Sequence, residues 1–82
     1  MKYTKVAALL RLRDKSLSNF ADYIGVSRQQ IANKKKKDTF AVDEFIKLAD
    51  FTDTTLCFID NKSGDILMKF DKKEDLSNNH TK

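Results

Sequence analysis

The segment from Phe20 to Asn33, Phe-Ala-Asp-Tyr-Ile-Gly-Val-Ser-Arg-Gln-Gln-Ile-Ala-Asn, holds a glycine at the point where two helical patterns meet. Before Gly25, Leu17, Phe20, Ala21 and Ile24 recur at the spacing of one buried helix face; after it, Ile31 is the apolar anchor of a second helix, expected from Arg28 to about Lys36. Glycine takes the left-handed backbone that ends a helix without steric cost, Val26 folds back onto the apolar side, and Ser27 caps the next helix. A chain built this way makes two short helices crossing at a steep angle.

The flanking sequence fills in a small bundle. Val6, Leu9, Leu10 and Arg13 place a first helix at about Thr4 to Arg13, and Ser16 followed by Asn19 resembles a capping box that opens the second helix at Leu17. Asp38-Thr39-Phe40 reads as a connector, with Asp38 or Thr39 as cap of a fourth helix over about Val42 to Asp50. That helix turns Val42, Phe45, Ile46, Leu48 and Ala49 inward, with Phe51 behind it. Two β-prone runs, Thr55 to Ile59 and Asp65 to Phe70, then flank Asn61-Lys62-Ser63-Gly64. With Gly64 left-handed in a three-residue loop, Phe58 opposes Met68 and Leu56 opposes Phe70, which gathers Leu56, Phe58, Ile66, Met68 and Phe70 on one face and Cys57, Ile59 and Leu67 on the other.

A ribbon apolar on both faces is not satisfied by one helical layer, so a second copy of the chain is expected to cover it. Leu56, Cys57, Phe58, Ile59 and Leu67 are the candidate dimer contacts. The predicted fold class is α+β, mostly α: one domain over residues 1–70, a bundle of about four helices with a hairpin at about 54–70, and a disordered polar tail at 71–82.

Composition narrows the partners. The net charge of +4 is unevenly placed: residues 1–37 hold ten Lys/Arg against two Asp, and residues 38–82 hold six against ten Asp/Glu. One half is suited to a polyanion and the other is not. A lone cysteine, Cys57, offers neither a disulfide nor a thiolate metal site, and the one histidine, His80, lies in the tail. No cofactor or metal is expected, and with no long apolar stretch or cleavable leader the expected location is the cytoplasm, away from membrane.

A helical wheel places the chemistry. With Ile31 at zero, Gln29 falls near ~160°, Asn33 near ~200° and Lys36 near ~140°, all pointing away from the core. Gln29 and Asn33 lie one above the other, and each amide donates and accepts in one plane, the pairing that suits adenine in the major groove. Arg28 lies in the first turn, in reach of a guanine or a phosphate, and Ala32 is small enough to meet a thymine methyl. These four are the candidate base readers. Lys34, Lys35, Lys36 and Lys37 are candidate contacts to the DNA backbone, although a regular helix turns Lys34 and Lys35 toward the core side; Gln30, Ser16 and Ser27 join them, the serines as caps at helix ends whose amides face a phosphate.

Phe20-Ala21, the turn Gly25-Val26-Ser27, and Ile31 six residues beyond Gly25, followed by Phe45, Leu48 and Ala49, resemble the helix-turn-helix of the Cro and repressor family of phage and bacterial regulators, the XRE family, over roughly residues 4–52. The resemblance implies a lambda-repressor-like bundle, with Arg28, Gln29 and Asn33 at base-reading positions and Ser27 at the cap that meets phosphate. Leu17 stands where many members carry a phosphate-anchoring glutamine, and lysines replace the usual acidic residue and glycine after the recognition helix. The hairpin in place of a fifth helix is similar to Cro proteins whose C-terminal strands mediate dimerisation. The expectation is a homodimeric repressor on a double-stranded, pseudo-palindromic DNA operator. The alternative is the same scaffold used for protein interaction, as an anti-repressor or an inhibitor, with the hairpin as its surface. Catalysis is not expected: with glycine only at 25 and 64 there is no phosphate-cradling loop, and no paired-carboxylate or Cys/His constellation.

Overall fold

A computed structural model describes residues 2–76; residues 77–82, and with them His80, lie outside the described residues. The element order is α1 (Lys2–Leu12), α2 (Leu17–Ile24), α3 (Arg28–Lys37), α4 (Val42–Phe51), β1 (Cys57–Ile59), β2 (Ile66–Lys69) and α5 (Lys72–Asp75). Among the described residues no helix is long and apolar enough to cross a membrane.

The first four helices end alike. At each end a left-handed residue turns the chain, and the next backbone N–H returns to a carbonyl five residues back: Lys15 to Leu10, Val26 to Ala21, Thr39 to Lys34 and Thr54 to Ala49, at 2.8–3.1 Å. Only one of the four turning residues is glycine, Gly25 at φ 77°; the others are Asp14, Asp38 and Asp53 at φ 55–56°. Aspartate tolerates this conformation better than most residues, but its charge sits at the negative end of the helix dipole. Asp53→Gly removes both penalties, so it is expected to raise stability by about 0.5–1 kcal/mol, read as a few degrees in the melting temperature.

Asp38 differs from the other two. It or Thr39 is the expected cap of α4, but Ala41 holds that position, and the Asp38 carboxylate instead accepts the backbone N–H of Tyr3 at 2.7 Å and of Lys2 at 3.0 Å. It therefore closes α3 and caps α1, whose otherwise unpaired first-turn amides offer a carboxylate more than α4 does.

The core joins Val6 and Leu10 of α1, Phe20 and Ala21 of α2, Ile31 of α3, Phe40 and Leu48, with Leu17, Ile24, Val26, Phe45 and Phe51 half-buried around it. Val42 was expected inside yet is 56% exposed, while Phe40 of the connector is 3% exposed. Phe40 precedes the cap and Phe45 lies in the first turn, so the two form a hydrophobic staple that takes the place expected for Val42.

The hairpin forms, with a shifted loop. Asp60 accepts from the N–H of Lys62 at 2.8 Å and of Ser63 at 3.3 Å, and its own N–H donates to Asp65 O at 2.8 Å, so the loop holds four residues rather than three, with Gly64 left-handed at φ 79°. Ile59 then pairs with Ile66 instead of Leu67, and an irregularity between Phe58 and Ile59 restores the expected Phe58–Met68 pair. Phe70 N–H donates to Leu56 O at 2.9 Å, as the expected register requires. Neither face is covered: Phe58, Ile59, Ile66, Leu67 and Met68 are 52–66% exposed, whereas Leu56, Cys57 and Phe70 at the root are half-buried.

Residues 71–76, expected to be disordered, carry α5. Asp71 caps it by accepting from Lys73 N–H at 2.8 Å, Asp75 accepts from Asp71 N–H at 2.6 Å, and Lys72 forms an ion pair with Asp50 of α4 at 3.2 Å. A tertiary tether supplies what local propensity does not.

Candidate nucleic-acid interface

Helix α3 is fixed from behind and at its start. Ile31 is 4% exposed in the core, and Ser27 Oγ accepts from Gln30 N–H at 3.1 Å while Gln30 Oε1 accepts from Ser27 N–H at 2.8 Å. With one face anchored, Gln29 and Asn33 stand exposed opposite it, as the wheel requires, and Arg28 and Ala32 are exposed on the flank beside them. A reciprocal box of the same kind, Ser16 with Asn19 at 3.0 Å in both directions, opens α2. Both helix starts are therefore pinned by side chains, each box taking up one first-turn amide, that of Asn19 in α2 and that of Gln30 in α3. Gln30, expected to grip the DNA backbone, has its carbonyl oxygen committed to the cap.

The lysine run divides. Lys34 Nζ pairs with Glu44 Oε2 at 2.6 Å, the two side chains only 28% and 14% exposed, and Glu44 Oε1 also accepts from Ala41 N–H at 2.8 Å. Lys34 therefore ties α3 to the start of α4 and does not extend toward a ligand. Lys35 lies over the Tyr3 ring at 5.3 Å, a cation–π contact beside the Tyr3–Phe40 stack. Lys36 and Lys37 are exposed. The wheel's turning of Lys34 and Lys35 away from the outer face agrees with these partners.

Three residues that sequence reasoning did not place here hold the interface in shape. Asp38 fastens the start of α1 to the end of α3, and the Tyr3 N–H, with Lys2 beside it, keeps its carboxyl below the usual carboxylate range. Glu44 closes half a capping box, since Ala41 has no side chain to return the bond; its position three residues after the cap was the available signal. Tyr23 of α2 donates its hydroxyl to the Asp50 carboxylate and its ring lies tilted against Phe51 at 4.8 Å, so it belongs to the packing.

The resulting surface is a short helix with outward amides and a guanidinium, two exposed ammonium groups at its far end, and two capped helix starts nearby. That arrangement suits a groove edged by phosphates. No curated protein and no solved structure gives a significant match to the chain. A family model for the bacteriophage CI repressor helix-turn-helix domain matches residues 11–67. The matched region runs from the end of α1 into β2, well over half of the 82 residues, and the chain belongs to the bacteriophage CI repressor helix-turn-helix family of DNA-binding regulators.

Proposed function

We propose that the protein is a Cro-like transcriptional repressor: a homodimer that inserts α3 of each copy into successive major grooves of a pseudo-palindromic operator in the cytoplasm. The observation that carries this reading is the exposed face of Arg28, Gln29, Ala32 and Asn33; among the described residues, the Gln29 and Asn33 amides make no hydrogen bond within the protein. Amides held on a rigid helix and unspent on the fold are available to base edges. Ser16 and Ser27 present their helix starts to phosphate, and Lys36 and Lys37, with Lys35 beside them, supply the sequence-blind attraction.

Selection of binding sites from randomised duplexes with the purified protein tests the reading. A defined operator supports it, and failure over a range of salt concentrations favours the interaction scaffold instead. The lysines make a sharper test. Lys36→Ala is expected to weaken binding to every sequence and to lower the slope of log K against log salt by about 0.9. Lys34→Ala should leave that slope unchanged and loosen the α3–α4 junction, because its charge is already paired with Glu44. Equal slope changes in the two variants would refute this division of roles.

The dimer reading rests on the exposed apolar Phe58, Ile59 and Leu67, with Leu56 and Cys57 half-buried at the root of the ribbon. Phe58→Asp is expected to shift the mass in solution to that of one chain and to weaken operator binding by at least tenfold. A wild-type protein monomeric at high concentration, and bound to DNA as a monomer, would overturn it.

A further inference from the structure

The root of the hairpin is held at two points. Where the chain enters it, the Thr52 hydroxyl donates to Leu48 O at 2.8 Å and meets the Thr54 hydroxyl at 2.9 Å, so the segment after α4 leaves in a set direction. Where the chain exits, Lys72 Nζ donates to Asp50 Oδ2 at 3.2 Å and to the Tyr23 hydroxyl at 3.4 Å, and that hydroxyl donates to the same carboxylate. Leu76, after α5, lines one cavity with Tyr23, Ile24, Lys47 and Lys72. This clamp joins the end of the hairpin to α2, the helix on which α3 is mounted.

Packing alone does not fix the hairpin. A cleft of about 270 Å³ lies between its root and α4, lined by Ile46, Ala49, Thr54 and Phe70, with Asp50 and Lys72 also on its walls. Beyond the cleft, Phe58, Ile59, Ile66, Leu67 and Met68 are all more than half exposed, so no helix supports the outer part of either face. With the exit strand released, the ribbon has room to swing about residues 53–56.

We propose that Lys72, Asp50 and Tyr23 are positioning residues that fix the angle between the hairpin and α3, and thereby the single half-site separation that the dimer accepts. The inference rests on the reading above that the hairpin joins two copies. Inserting one base pair moves the two half-sites about 3.4 Å apart and rotates them by about 35°. A clamped ribbon presents its two reading helices at one separation and one phase. A ribbon hinged over an open cleft follows several.

The test is site selection from randomised duplexes with wild type, Lys72→Ala, Asp50→Asn and Lys72→Arg, with thermal melts as the folding control. The Lys72 and Asp50 side chains are 51% and 41% exposed, so the substitutions leave the core filled. Wild type and Lys72→Arg are expected to select half-sites at one separation. Lys72→Ala and Asp50→Asn should select the same half-site sequence at two or more separations, with the penalty for a one-base-pair insertion falling at least fivefold. Fixed spacing retained in both clamp variants would overturn the inference and leave the dimeric reading standing. Isolated half-sites with no fixed spacing in wild type would overturn both. A changed half-site sequence in the clamp variants would also count against it, since a spacing device does not touch bases.

Discussion

Gln29→Ala and Asn33→Ala are each expected to remove about 1–3 kcal/mol of base discrimination, roughly 5- to 150-fold between operator and mismatched duplex, and the double variant is expected to bind DNA with little preference. The loss is separable from stability. Both side chains are exposed on α3, Gln29 in its first turn and Asn33 in its middle, and alanine is the better helix former at either position, so the melting temperature should hold or rise. Neither amide is assigned to phosphate, so the salt slope should stay at its wild-type value while the preference disappears. A selected-site profile unchanged by both substitutions would remove the readout from this face and leave Arg28 and the lysines as a sequence-blind surface.

The α2–turn–α3 unit was legible in the sequence because its determinants are local. Gly25 meets its backbone need within one residue, and the Ser16–Asn19 box and the Ser27 cap each close within three, although the return bond from Gln30, assigned to the DNA backbone, went unread. The exposure of Gln29 and Asn33 followed from the single constraint that Ile31 is buried. What was not legible depends on distant partners. Asp38 looks like a helix cap wherever it stands, and only the fold brings it to Lys2 and Tyr3, 36 and 35 positions away. Phe40 reads as connector until the staple with Phe45 is formed. In the hairpin, the glycine was assigned correctly, but loop length was decided by the Asp60 carboxylate, a competing local bond that strand propensity does not register. The short helix α5 has too few residues to declare itself and is stabilised by Lys72 reaching Asp50. Lys34 was placed among the DNA contacts for its charge, while its wheel position already turned it away from them.

The core carries the largest single effect on stability. Phe20 is 0% exposed, and its ring meets Phe51 at 5.9 Å, at the junction that sets the angle of α2 against its neighbours. Truncating a buried phenylalanine to alanine costs about 3–5 kcal/mol, against a total of about 4–12 kcal/mol for a domain of this length. Phe20→Ala is therefore expected to lower the melting temperature by about 12–40 °C and to abolish DNA binding at temperatures where wild type binds. Phe58→Ala makes the informative contrast. At 60% exposed in one copy, Phe58 keeps one ring contact, to Phe70 at 5.8 Å, so its truncation should lower the melting temperature of dilute protein far less than Phe20→Ala does. If the hairpin joins two copies, assembly adds apparent stability that grows with concentration, and the deficit of Phe58→Ala should grow with it. The larger deficit of Phe20→Ala should be present in dilute and concentrated protein alike. A Phe20→Ala protein melting within a few degrees of wild type would show that the turn is not held by this ring. A Phe58→Ala deficit independent of concentration would place Phe58 in the fold of one chain and remove it from the interface.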